Sequence, residues 1–302
     1  MNQKHQKLLE KYNTLNQKSL ILMGLKKPVV SLQLLFNRFN YRRTHNPKII
    51  STEMFFGQQM NLVLPDKVAE FLYYFKFFEY KLTKIVLEHV KKDMIFVDVG
   101  AHFGYYSLLA SEIVESEGEV HSFEPTPSTF KILKSNLEKD FQFVNNLACW
   151  SENKFLEFND FGLEFAAWNS FTNPRVNKVK KKWDQNPKIN KLKKQDQKIK
   201  VKATTLDTYF KNKSPDFVKI DAESTELEVL KGMEKIINDS HPMITLEVGD
   251  LHNVPKSKFA IDYLLDRNYD CFEYVDGKTR KHKILDTYYY DNLLFTKNNI
   301  SH

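Results

Sequence analysis

The sequence predicts an α/β fold built on a doubly wound, mostly parallel sheet, and three observations carry that reading. From Met94 to Thr296 short apolar runs alternate with stretches of helical spacing, the pattern of strand and crossover helix repeated. The first of these runs ends in a glycine-bearing turn and opens into a helix, Val97-Asp98-Val99-Gly100-Ala101-His102-Phe103-Gly104-Tyr105. An acidic residue, Glu124, ends the next run, twenty residues after Gly104.

Seven strands are expected, at Met94–Val99, Glu119–Phe123, Phe141–Ala148, Asp216–Ile220, His241–Val248, Asp270–Val275 and Asn292–Thr296. Helices are expected over Tyr105–Val114, from a cap at Thr126 or Ser128 through Leu137, over Leu227–Ile237 and near Phe259–Asp266. Ser and Thr favour the cap because their oxygens accept from amides of the first turn. No long helix separates the last two strands, so they are close enough to pair antiparallel. Ahead of the sheet, Phe71, Tyr74, Phe78, Leu82, Ile85 and Val86 recur at helical spacing within Val68–Val90, which reads as one helix leading into the core.

The division expected is an N-terminal helical extension with a short hairpin over 1–66 and a main domain over 67–300. The first 45 residues read as helices outside the main core. A basic insertion at about 171–202 interrupts the main domain. Between Arg175 and Lys202 there are twelve Lys or Arg and two Asp. Such a run is a solvated insertion, or a strip for an anionic acceptor or a membrane surface.

Composition excludes several classes. With 42% hydrophobic and 27% charged residues in 302, the chain has the usage of a globular protein and not of a disordered one. The excess charge of +7 is modest. Cys149 and Cys271 are far apart and form no C-x-x-C pair, so they are read as free thiols in a reducing, cytoplasmic compartment. The best apolar run, Leu20–Phe36, is broken by Lys26, Lys27 and Pro28. It is too interrupted to span a bilayer, which takes about 20 apolar residues, and suits a packing or interfacial helix instead.

The glycine turn is the centre of the candidate site. Glycine is needed where the chain bends sharply or where a ligand touches the backbone, and a helix start presents amides that suit a carboxylate. Asp98, Gly100, Ala101 and Gly104 therefore mark a cofactor site, and Glu124 is placed to accept both hydroxyls of an adenine-linked ribose. Pro125 and the Asn145–Ala148 turn, through Asn146 and Ala148, are placed to border the adenine. The fingerprint G-x-G-x-x-G is absent because position 102 is His, which argues against a dinucleotide.

These stretches, with Ser122-Phe123-Glu124-Pro125, Thr204-Thr205-Leu206-Asp207, Val218-Lys219-Ile220-Asp221-Ala222-Glu223, Glu226-Leu227-Glu228-Val229-Leu230-Lys231-Gly232 and Ile244-Thr245-Leu246-Glu247-Val248, resemble the FkbM-type methyltransferases in family order from about Phe78 to Thr296. The resemblance implies a Rossmann-like class I fold, S-adenosyl-L-methionine as cofactor and O-methylation of sugars or natural-product hydroxyls. It implies cofactor contacts at Asp98, Gly100, Gly104, Ser107 and Glu124, and it places Glu79 where the family often has an acidic residue. His102 stands where Asn is usual, and Ser224 where the family has Gly.

Methyl transfer to a hydroxyl needs alignment, exclusion of water and a base. Asp221 and Glu223 at the end of the fourth strand are the candidates for that base, with His102 behind them. Glu226 either holds acceptor hydroxyls or braces the loop; paired with Lys219 it would be purely structural. Glu247, which either touches the acceptor or merely caps the sheet, and Trp168, in the long stretch from Trp150 to Lys202 between the third and fourth strands, complete the candidate acceptor contacts. Asp221, Glu223 and Glu247 are oxygen donors of the kind Mg²⁺ takes, yet nothing in their spacing requires a metal, and no Cys/His zinc pattern exists. The acceptor expected is a small molecule, glycan or glycolipid. A nitrogen or RNA acceptor and a non-catalytic scaffold are the competing readings, although no N-P-P-Y loop for a flipped base is present.

Overall fold

A computed structural model describes residues 3–16, 27–160, 162–163, 166, 197–250 and 256–297. Trp168 and most of the basic stretch 171–202 lie outside the described residues. Two helices, α1 (Gln3–Asn16) and α2 (Pro28–Thr44), precede a hairpin, β1 (Lys48–Glu53) and β2 (Gln59–Leu64). Helices α3 (Lys67–Phe75) and α4 (Tyr80–His89) follow. Val68–Val90 is thus two helices and not one. Lys76 closes the first at φ 69 and Glu79 opens the second at φ 36, and the bend turns Phe77 into the core at 4% exposure.

The main sheet is built from β3 (Ile95–Val99), β4 (Glu119–Phe123), β5 (Gln142–Asn145), β9 (Phe217–Ile220), β10 (Met243–Val248), β11 (Asp270–Val275), β12 (Lys278–Lys281) and β13 (Asp291–Thr296), in the order β12-β11-β13-β10-β9-β3-β4-β5. The five strands from β10 to β5 are parallel, and β13, β11 and β12 pair antiparallel. The two late strands pair as expected, and β12 adds an eighth strand at the edge. The chain winds outward from β3 through β4 and β5, then returns to β9 on the other side of β3. The switch point, where such sheets bind ligands, therefore lies between β3 and β9.

The expected third strand is shorter than its apolar run. It stops at Asn145, and the chain leaves the sheet to form β6 (Ala148–Cys149), which pairs with β8 (Gln197–Thr204) beside β7 (Lys154–Asp160) in a separate three-stranded sheet. The expected helix Leu227–Ile237 is two, α8 (Glu226–Lys231) and α9 (Glu234–Asp239), after a short α7 (Leu206–Tyr209). They part at Gly232, where a Cβ would lie 1.9 Å from the Trp150 carbonyl oxygen.

Alternation along the strands divides the core. Phe96 and Phe217 stack at 5.5 Å on one face of the sheet, under α5 (Tyr105–Val114) and α6 (Pro127–Asn136). Val97, Val218 and Ile244 face α7, α8, α9 and α10 (Lys256–Leu265) on the other. All ten residues of α5 are buried, which a helix achieves only when covered on every side. Its outer cover is the N-terminal segment. Phe56 meets Tyr105 at 5.7 Å, Gln58 donates to Glu112 at 2.6 Å, and Lys4 pairs with Glu112 at 2.9 Å.

The first helix is therefore not outside the core as the sequence suggested. Tyr12 is fully buried among Phe55, Phe77 and Tyr80 at ring separations of 4.9–5.5 Å, and its hydroxyl donates to the Tyr80 carbonyl. Tyr12→Ala is expected to destabilise the protein by about 3–5 kcal/mol, the cost of an emptied aromatic site. Urea unfolding checks this, and an unchanged midpoint would make α1 a loose appendage.

Candidate active site

The last residues of β3 and β9 bring unlike charges together inside the sheet. Parallel register sets Asp98 beside Lys219, Ser122 beyond Asp98 and Thr245 beyond Lys219, all on the face that carries α5. Lys219 is 3% exposed. Its Nζ lies 3.1 Å from Asp98 Oδ1 and 3.5 Å from Asp221 Oδ2, and donates to the Gly100 carbonyl at 3.0 Å. Asp98 Oδ2 accepts from Ser107 Oγ at 2.6 Å, and Ser107 in turn accepts from Ser122. Burial by itself disfavours the ammonium, but the carboxylates of Asp98, Asp221 and Glu79 outweigh it and hold the Lys219 pKa above its ordinary value. The pairing of Lys219 with Glu226 considered from sequence does not form.

Above this pair the chain turns at Gly100, at φ 72. A Cβ there would stand 1.8 Å from the Asp221 carbonyl oxygen, so only glycine lets the ends of β3 and β9 meet this closely. The amides of Gly100 and Ala101 both donate to the Phe123 carbonyl, so they tie the turn to β4 and do not await a carboxylate. Gly104 enters α5 at φ 93 against Leu133. His102, at φ 52, takes the left-handed conformation for which Asn is better suited. Its amide donates to Glu124 Oε2 at 3.1 Å while the Thr126 amide donates to Oε1 at 2.9 Å.

These turns open on a cleft of about 340 Å³, within the range of small-ligand sites. Gly100, Ala101, His102, Glu124, Pro125, Ala148, Asp221, Glu223 and Glu247 line it. Asp98, Gly104, Ser107 and Glu79 lie behind that lining. Glu79 accepts from the Tyr106 hydroxyl at 2.8 Å and from Asn292 at 3.3 Å. Asn146 does not line the cleft; its amide donates to the Glu124 and Pro125 carbonyls and braces the loop. Glu226 is also behind, with Oε1 accepting from the Ala222 and Ser224 amides at 3.2 and 3.0 Å. It braces the loop after β9, in which Glu223 and Ser224 sit at φ 48 and 73. The family's Gly in place of Ser224 would adopt that φ without strain.

Sequence reasoning missed several lining groups. Lys219, Tyr106, Phe123, Cys149 and Phe158 were not proposed, and neither were Met60, Lys67, Val68, Leu72 and Phe78 from the segment ahead of the sheet. The only advance signal for the latter was their aromatic and aliphatic richness. Among the described residues, no group of three His, Cys, Asp or Glu side chains is arranged to hold a metal.

Titration in the cleft follows burial. Desolvation pushes Glu124 up to about 7 despite its two amide donors, and Glu226 likewise to about 7. Burial first, then the charges of Asp221 and Glu223, raises Glu247 well above its ordinary value. Burial lowers His102 to about 3, so its imidazole is neutral. Its Nε2 is buried without a hydrogen-bond partner in the described structure.

The strand order and a switch-point cleft edged by a glycine turn and an acid define a Rossmann-like methyltransferase. The chain belongs to the FkbM methyltransferase family: the model of the Methyltransferase FkbM domain matches residues 98–271. Membership makes S-adenosyl-L-methionine the methyl donor. Among solved structures, the FkbM methyltransferase of Methylobacillus flagellatus KT is similar at 16% identity and a TM-score of 0.43, over 68% of this chain and 44% of that one. The chain thus spans less than half of that relative. An S-adenosylmethionine-dependent O-methyltransferase of Thermotoga maritima is similar at 13% identity and a TM-score of 0.38, over 85% of this chain and 80% of that one. The Bacillus cereus O-methyltransferase in complex with SAH aligns at 12% identity and a TM-score of 0.36, over 71% of this chain and 77% of that one. No curated protein matches the chain.

Two outcomes test the electrostatics. Lys219→Met leaves Asp98 buried without its cation and is expected to cost about 3–5 kcal/mol in urea unfolding; a loss below about 1 kcal/mol would deny the ammonium that role. Glu226 is raised from 4.5 to about 7 on folding. The folded protein therefore holds an extra proton between those values, and that stability is lost as pH rises through the upper one. Glu226→Gln, which keeps the oxygen acceptor, should match the parent at pH 5 and exceed it at pH 8 by on the order of 1–3 kcal/mol.

Proposed function

We propose that this protein transfers a methyl group from S-adenosyl-L-methionine to a hydroxyl oxygen of a carbohydrate, glycolipid or related polyol. The observation that supports it best is the setting of Asp221: a carboxylate on the cleft wall, 3.5 Å from Lys219 Nζ and sharing the cleft with Glu223 and Glu247, at the sheet's switch point. The donor, when bound, supplies a methyl group activated by its sulfonium.

This chain's residues then do the rest. Glu124 lines the cleft as a hydrogen-bond acceptor, which suits the paired hydroxyls of a ribose. Pro125, Ala148 and Phe123 give an apolar surface beside it for a flat base. The bare Cα of Gly100 lets a ligand approach the backbone, and Asp98 and Lys219 hold that turn in place. Asp221 takes the proton of the attacking hydroxyl as general base, with Lys219 and Glu247 fixing its direction. Glu223 and Glu247 offer further acceptors to neighbouring hydroxyls, and Tyr290, which also lines the cleft, offers a ring face to a sugar. His102, its pKa lowered to about 3 by burial, is too weak a base to take a second proton and serves as a hydrogen-bonding wall.

A nitrogen acceptor would fit this wall less well, because a neutral amine needs no base before attack. The test is to incubate the protein with isotopically labelled donor and pools of glycans, glycolipids and RNA, and to read methyl incorporation by mass. Label in a hydroxyl of a glycan or glycolipid is the expected result; label confined to RNA or to nitrogen would overturn the reading. Asp221→Asn is expected to lower turnover by roughly 10²–10⁴-fold while donor affinity, measured by titration calorimetry, changes little. Full turnover would remove Asp221 as the base.

A further inference from the structure

We propose that α2 is an interfacial helix that lays its outer face on an anionic lipid bilayer. The helix is mounted the wrong way round for a packing element. Its protein-facing side includes polar anchors: Arg38 forms a two-pronged pair with Glu70, Gln33 accepts from the Tyr73 hydroxyl at 2.7 Å, and Lys27 at its cap donates to the Tyr74 carbonyl at 2.9 Å. Leu34 and Tyr41 complete that side. The other side carries Val29, Leu32, Leu35, Phe36 and Phe39, each between 59% and 66% exposed.

At about 100° per residue, Val29, Leu32, Phe36 and Phe39 fall on one stripe opposite Leu34 and Tyr41, with Leu35 at its border. Single exposed apolar side chains are ordinary, but a continuous stripe including two phenylalanines is not. Ile49 of the adjoining hairpin is 57% exposed as well.

Charge selects the occupant. No Asp or Glu occurs from Pro28 to Thr52. Arg42 and Arg43 end the helix, and Lys48 follows, all exposed. Arg43 continues the line of the stripe. An apolar face whose charged neighbours along the helix and the following turn are all cations is the pattern of a helix lying in a headgroup layer, where the rings enter the acyl boundary and the guanidinium groups meet phosphates. A second copy of the same face would bring these cations against one another. No helix among the described residues is long and apolar enough to cross a membrane, so contact through α2 is peripheral.

The inference does not depend on the acceptor or on Asp221. Its test is co-sedimentation of the full chain with vesicles of phosphatidylcholine alone and of phosphatidylcholine with phosphatidylglycerol. Binding to the anionic vesicles that weakens with salt is expected. Phe36→Glu with Phe39→Glu should lower that binding roughly tenfold or more, and Arg42→Glu with Arg43→Glu should remove its salt dependence. Circular dichroism and donor affinity should match the parent, since all four side chains point away from the core. No binding by the parent, or equal binding by the phenylalanine variant, would overturn the proposal. So would a lipid-free dimer in light scattering that the phenylalanine variant dissolves, because the face would then belong to a second copy.

Discussion

An ammonium group enclosed by a parallel sheet is stable only with carboxylates on both sides, and Lys219 has them in Asp98 and Asp221. Enclosing each such ion costs several kcal/mol, and the cost is offset here by three anions, a carbonyl and the chain of hydroxyls from Ser107 to Ser122. The arrangement fixes how the ends of β3 and β9 stand to one another. With those ends fixed, the Asp221 carbonyl presses on Gly100, the turn after β3 has one conformation, and the cleft has one shape. Sheet register, glycine and charge are thus one constraint seen from three sides.

The same cleft gathers more acid than it neutralises. Glu79, Glu124, Glu226 and Glu247 are all held above their ordinary range, burial being the first cause in each. A positively charged ligand placed among them would relieve the burden and pull those values back down. Acids that ionise as a cation enters suit a cationic sulfonium electrostatically.

The alternation of apolar runs and helices was readable without coordinates, because strands buried on both faces carry continuous aliphatic stretches. The glycine turn was readable because a left-handed φ restricts residue choice, and Glu124 because an acid ends the next apolar run. Other features were hidden for definite reasons. Lys219 sits in a motif where its neighbours draw the eye, and only cross-strand register shows that its partner is Asp98, 121 positions away, and not Glu226. Glu226 and Asn146 looked like ligand groups and instead satisfy loop amides and carbonyls, which spacing does not reveal. The break at Lys76–Glu79 escaped notice because its aromatics keep a helical rhythm on both sides of the bend. The burial of Tyr12 depends on rings contributed by three other segments, and a polar helix gives no local sign of it.

One wall of the cleft is made by Met60, Lys67, Val68, Leu72 and Phe78, all of which precede the first strand of the sheet. The segment matched by the family begins only at Asp98. A piece cut at that boundary would keep the glycine turn yet stand open on one flank, with α5 stripped to solvent. The lead-in sequence is thus a part of the cleft, and its side chains shape that wall apart from the charge pair at the ends of β3 and β9.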